Sequence, residues 1–153
     1  MSRTLVVGGT GNIGRHVVAQ LIATGARVRA MVRDPQRAAL PHAVEIVRGD
    51  LTRPDTLNEA LRDIDAVFLL WTAPAEAAAA ALACITARAK RVVYLSAPIK
   101  TPHPFFQASL PNPSSILHQD IERHLEQSGV ESTILRPGNE FSSETIFTFG
   151  VAQ

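Results

Sequence analysis

A doubly wound α/β sheet, parallel throughout, is the fold that this 153-residue sequence predicts. Three observations carry the prediction. Short apolar, β-branched runs alternate with amphipathic helical stretches at close intervals, which calls for right-handed crossovers and hence parallel strands. The first run leads straight into Gly8, Gly9, Gly11 and Gly14, after which an apolar-periodic segment begins. The run DAVFLL at 65–70 is apolar without interruption, as a strand covered on both faces should be. About six strands are expected, in the order 3-2-1-4-5-6. One domain is expected over residues 1–141, followed by a short apolar tail over 142–153 that packs on the core or on a partner chain.

Composition narrows the classes of function. With 46% hydrophobic and 19% charged residues and a net charge of +1, the chain is an ordinary globular domain. That balance gives no electrostatic case for nucleic acid or a membrane surface. Thirteen arginines stand against two lysines, Lys90 and Lys100; arginine's planar fork suits phosphate, but a GC-rich genome gives the same bias. The single Cys84 sits among alanines and reads as a small packed residue that excludes an internal disulfide. No metal site is expected. No apolar run reaches membrane-spanning length and the N-terminus lacks a signal-peptide pattern, so a cytoplasmic location is expected.

The first strand is expected at 4–7 and the first helix from Ile13, with Ile13, Val17, Val18 and Leu21 on its inner face and Gly25 closing it. Between them the spacing is Gly-x-x-Gly-x-x-Gly. One glycine lets the chain turn tightly off the strand, one lets backbone approach a pyrophosphate, and one lets the helix pack closely; Gly8, Gly11 and Gly14 fit these roles. The helix N-terminus then faces the loop with unpaired N–H groups, which favours an anion without any basic side chain. Thr10, Asn12, Ile13 and Arg15 belong to the same loop and first turn, so a dinucleotide is the expected ligand.

A second strand at 26–32 ends in Arg33-Asp34-Pro35. An acidic residue there binds the ribose hydroxyls of NAD, whereas arginine accommodates the 2′-phosphate of NADP. Arg33 occupies about that position, and Arg15 and Arg37 can reach the same phosphate. NADP is therefore expected over NAD; Asp34 would serve NAD if the register were shifted by one, and Arg37 fits a solvated helix face equally well. A third strand at 43–47 runs into Gly49-Asp50-Leu51, where Thr52 can cap a helix and Pro54 can occupy its first turn. Asp50 stands at the carboxyl end of a strand, as a ligand contact or as a simple turn aspartate.

The fourth strand, 65–70, ends in Trp71-Thr72-Ala73-Pro74, whose backbone is placed to line the ribose and nicotinamide side of a cofactor. The alanine-rich stretch 75–90 reads as a helix able to approach a neighbour closely, although alanine is also simply the best helix former. A fifth strand at 91–95 is followed by Ser96. Five prolines between Ala97 and Pro113 forbid a regular element there, and Phe105 and Phe106 suit either a substrate-facing lid or a packing anchor. Asn112 and Pro113 open a helix with Leu117, Ile121 and Leu125 on its inner stripe and Gly129 at its end; a sixth strand follows at 131–135.

The glycine spacing resembles that of the extended and atypical short-chain dehydrogenase/reductases. The segment HQDIERHLEQSGVESTILRPGNEF, through His118, Glu122, Ser128-Gly129, Thr133 and Leu135-Arg136-Pro137-Gly138, is similar to the end of the cofactor domain in NmrA-like proteins and sugar-nucleotide epimerase relatives. The likeness runs from Ser2 to Phe141 and implies a Rossmann-type NAD(P)-binding domain. It also implies that Asp50-Leu51 contacts adenine and that the alanine-rich helix or the apolar tail supports a homodimer.

The chain departs from that group in two ways. Its Tyr-x-x-x-Lys pair is absent: the only tyrosine, Tyr94, lies in a strand with Pro98 four residues on. Counting back from Glu122, His118 takes the lysine's place and Ser114 the tyrosine's. His118 is thus the candidate catalytic acid, with a ribose contact or a plain surface position as alternatives. The substrate lobe that normally follows is also missing before Gln153. Two functions follow as expectations: an NADP(H)-binding sensor or regulator with weak or no catalysis, or an NADPH-dependent oxidoreductase reducing a quinone-like or carbonyl acceptor.

Overall fold

The computed structural model describes residues 2–97 and 113–137. The proline-rich stretch with its two phenylalanines, Asn112 and the apolar tail lie outside the described residues. Six strands, β1 (Arg3–Val7), β2 (Arg27–Val32), β3 (Glu45–Arg48), β4 (Ala66–Leu70), β5 (Arg91–Leu95) and β6 (Glu131–Leu135), form one sheet in the order β3-β2-β1-β4-β5-β6. Every pairing is parallel, as the expected crossovers require.

Helices cover both faces. α1 (Asn12–Ala23) packs Val17 and Val18 against Val6, Val28 and Ala30 on one side. α2 (Leu57–Ala60), α3 (Ala78–Arg88) and α4 (Pro113–Ser128) close the other over Leu5, Val67, Leu69, Val92 and Tyr94. The expected inner stripe of α4 is present, with Ile121 and Leu125 fully buried and Leu117 half-buried.

The differences from the expected elements have local causes. β3 begins two residues later than expected because Val44 closes a turn on the Pro41 carbonyl at 3.0 Å. β4 is buried unevenly: Val67 and Leu69 are sealed, whereas Ala66, Phe68 and Leu70 on the α1 side are half-buried, since α1 lies chiefly across β1 and β2. Thr52 does not cap a helix. Its backbone N–H and hydroxyl both donate to Asp50 Oδ1, at 2.8 Å each, and Pro54 opens a 3-10 turn, Pro54–Thr56, that passes into α2.

Candidate functional site

The carboxyl ends of β1, β2, β3 and β4 open onto a cleft of about 420 Å³. Where β1 ends, Gly8 adopts φ +83°, a left-handed conformation that turns the chain off the strand without the clash a side chain would meet. The Gly11 N–H closes this turn on the Gly8 carbonyl at 3.1 Å. Gly14, inside α1, sits so near the loop that a Cβ there would lie 1.9 Å from the Gly8 oxygen and 2.8 Å from the Gly9 Cα. No side chain caps α1 and its first turn carries no acid, so the positive end of the helix is left for a ligand.

Of the residues singled out from the sequence, the cleft gathers Gly8, Thr10, Gly11, Arg33, Asp50, Leu51 and Thr72 along its walls, with Met31, Gly49, Ala73 and Pro74. Asn12, Ile13 and Gly14 form the adjoining first turn of α1. Gly49 keeps its wall thin, since a Cβ there would lie 2.6 Å from Met31 Sδ. Asp50 serves as a turn aspartate, its Oδ1 holding the Thr52 turn, and also lines the cleft. The two Thr52 hydrogen bonds, helped by the charge of Arg33, hold the carboxyl below its ordinary range.

The arginines separate. Arg33 lines this cleft and also a neighbouring one of about 480 Å³ formed with Asp34, Pro35, Gln36 and Arg48. Asp34 is turned to local duty: its Oδ1 accepts from the Gln36 N–H at 3.1 Å and its Oδ2 lies 3.6 Å from Arg37 Nε. Arg37 is thereby held by Asp34, and Arg15 Nε donates to the Gly11 carbonyl at 3.4 Å. Arg48 was not foreseen as a site residue; its signal is its place at the end of a strand next to β2.

Trp71, Ser96 and His118 stand apart from the cleft lining. The Trp71 indole N–H donates to the Ala73 carbonyl at 2.6 Å, which stiffens the turn after β4. Ser96 is buried, and its hydroxyl donates to Glu122 Oε1 at 2.5 Å. Glu122 in turn accepts from Arg136 Nε at 3.1 Å and from its terminal nitrogen at 2.6 Å. Arg136 first, then Ser96, hold the buried Glu122 carboxyl below its ordinary range.

His118 Nδ1 is hydrogen-bonded to the hydroxyl of the fully buried Tyr94. Burial pushes the Tyr94 phenol well up and the His118 imidazole down, the latter opposed by Glu122. In the tautomer where the phenol donates to Nδ1, the proton of the neutral ring stands on Nε2. The sequence named His118, Glu122, Tyr94 and Arg136, but not which of them would meet.

A cleft of this form suits an elongated anion with a pyrophosphate over bare backbone. The comparisons agree. The model of a family described as NAD(P)H-binding matches residues 8–146. The chain is 33% identical over 152 residues to a (4-alkanoyl-5-oxo-2,5-dihydrofuran-3-yl)methyl phosphate reductase of Streptomyces griseus, covering 93% of this chain and 49% of that one. It is 45% identical over 75 residues to the photosystem II assembly factor Ycf39 of Synechocystis, covering 48% of this chain and 23% of the relative. The chain thus spans about half, or less, of the length of these curated relatives. Its fold is shared with the Citrobacter triphenylmethane reductase solved with NADP(H), at a TM-score of 0.74 and 18% identity over 94% of this chain and 51% of that one. The chain belongs to the NAD(P)H-binding family, in the NmrA-like branch of the atypical short-chain dehydrogenase/reductases.

Proposed function

We propose that the chain binds NADP(H) in preference to NAD(H), and that nucleotide binding, as a sensor or regulator with weak or no turnover, is its primary activity. One observation carries the preference: Arg33 faces the cleft while Asp34, the residue that would serve NAD, is engaged by Gln36 and Arg37. Gly8, Gly11 and the first turn of α1 would hold the pyrophosphate, Asp50 and Leu51 the adenosine side, and Thr72 the nicotinamide side. The weak catalysis rests on Tyr94. The chain has a single tyrosine, and that phenol is sealed inside the sheet, bonded to His118 and held against ionisation.

A second reading is an NADPH-dependent reductase, favoured by the same hydrogen bond seen from His118. When bound, NADPH supplies a hydride. Where Tyr94 donates to Nδ1, His118 would offer its Nε2–H as a hydrogen bond to the acceptor oxygen as the hydride arrives, and the proton that completes the reduction would come from water.

Trp71, the single tryptophan, does not line the cleft but is bonded to Ala73, which does, so its fluorescence is the readout for titration with NADPH and NADH. NADPH is expected to bind more tightly. Arg33→Ala should weaken NADPH by about tenfold to a hundredfold, as loss of a charge-assisted contact does, and leave NADH nearly unchanged. Equal losses would remove Arg33 from the 2′-phosphate. Quinone and dye reduction then separates the two readings: fast turnover abolished by His118→Ala with NADPH binding intact would favour the reductase.

A further inference from the structure

We infer that Arg48 is the second cation of the 2′-phosphate subsite, so that the Arg33–Arg48 pair, not Arg33 alone, sets nucleotide choice. The inference rests on the NADP(H) reading above and extends it to a residue that neither motif nor spacing marks.

The sheet itself brings the two arginines together. Arg48 ends β3 in register with Val32, the last residue of β2, and Arg33 follows directly. The Gly49 N–H donates to the Val32 carbonyl at 2.9 Å, which ties the two strand ends together just where both side chains leave. Arg33 is the shared wall of two clefts: the glycine-loop cleft on one side, and on the other the second cleft, which Arg48 lines. A phosphate on a nucleotide lying in the first cleft would therefore meet Arg33 first and Arg48 next.

Charge favours the same occupant. Asp34 is the one acid on the second cleft's wall, and Arg37 offsets it. Among the described residues neither Arg33 nor Arg48 forms an ion pair. A phosphate monoester near neutral pH carries close to two negative charges on three acceptor oxygens, and two guanidinium forks match it in both charge and geometry. An arginine that served only to keep the edge strand β3 from pairing with another chain would have no preference among nucleotides.

The test is a set of dissociation constants for the full chain with NADPH and NADH, and with 2′,5′-ADP and 5′-AMP as fragments with and without the 2′-phosphate. Arg48→Ala should weaken NADPH and 2′,5′-ADP by about tenfold, and NADH and 5′-AMP by less than about twofold. Arg48→Lys should recover part of the loss, since the ammonium keeps the charge without the fork. Arg48 is exposed, so the variant should keep the wild-type Tm. Unchanged NADPH and 2′,5′-ADP affinities, or equal losses for NADH and 5′-AMP, would overturn the inference. If Arg33→Ala is selective while Arg48→Ala is silent, the NADP(H) reading stands and the pair does not. If the wild-type chain binds neither dinucleotide, or prefers NADH, both fall.

Discussion

At the carboxyl ends of their strands the two halves of the sheet treat polar groups in opposite ways. From β1 to β4 the site is made of main chain and of side chains with capacity left for a ligand: an uncapped α1, the thin wall at Gly49, and Arg33 and Arg48 facing open clefts. From β5 through α4 to β6 the polar groups pair with one another, the buried Ser96 with the buried Glu122, Glu122 with the partly exposed Arg136, and the buried Tyr94 with the half-buried His118. Groups of the first kind can bind. Groups of the second kind hold α4 and the edge strand β6 onto β5 through hydrogen bonds already made within the protein. Under the proposed function the contrast assigns ligand binding to the first half, and each side can be broken separately.

The largest effect should come from Gly14→Ala. The added Cβ would lie 1.9 Å from the Gly8 oxygen and 2.6 Å from its carbon, both backbone atoms that cannot swing aside. α1 must then move off the loop, at a cost of about 3 kcal/mol, and nucleotide binding should be lost with it. Gly25→Ala is the control: its φ of +79° strains an alanine, yet nothing lies within 4 Å of the new Cβ. That variant should lose about 1 kcal/mol and keep binding. Equal behaviour of the two in thermal melts and titrations would mean that close helix-to-loop contact is not what shapes the cleft.

Arg136→Met strikes the other half. It leaves the Glu122 carboxylate buried with Ser96 as its remaining named donor. The loss should be about 2 kcal/mol, below that of a fully buried pair because the Arg136 side chain is 45% exposed. The pH dependence should also weaken. In the wild type the Glu122 pKa is lowered, so its contribution is present above the ordinary carboxylate value of 4.5 and is lost as pH falls through the lower folded value. Without Arg136, burial is the largest remaining influence, opposed by Ser96 and His118, so the pKa rises from its wild-type position and acidification should cost the variant less stability than the wild type. Parallel melting curves between pH 7 and pH 4 would show that the pair does not act as described. NADPH affinity should change little.

Which parts of this were legible in the sequence follows the same division. The bounds of β5 and β6 match the expected 91–95 and 131–135, because both are short β-branched runs with clear punctuation at their ends. The glycine loop was legible because its requirements are local: Gly8 needs its φ and Gly14 its lack of a Cβ whatever the rest of the chain does. β3 was misplaced by two residues because an edge strand with only Val47 half-buried carries little apolar pattern. Thr52 was misread because a threonine that serves an aspartate turn is, in sequence, the same as one that caps a helix. The surroundings of Arg48 and the partner of Tyr94 were not legible, because both depend on how separate elements pack. Arg48 gains its meaning from the register of β3 on β2, and Tyr94 meets His118 across 24 residues only once α4 has packed on β5.

The smallest predicted effect tests the border between the halves, at His118. Its ring faces Tyr94 from β5 and feels Glu122 from its own helix. Burial lowers its pKa from the ordinary 6.5, and Glu122 opposes that only in part. Folding therefore favours the neutral ring. Its contribution is complete above 6.5 and declines as pH falls through that value, because the unfolded chain then takes up the proton more readily. Between pH 7.5 and pH 5.5 the Tm of His118→Gln should fall less than that of the wild type, by about 2 °C, a small figure because the imidazole is only half-buried. The other four histidines are present in both proteins and cancel in the comparison. A larger fall in the variant than in the wild type would mean that the carboxylate of Glu122 outweighs burial, and that this histidine is held as a cation instead of as the neutral donor the reductase reading needs.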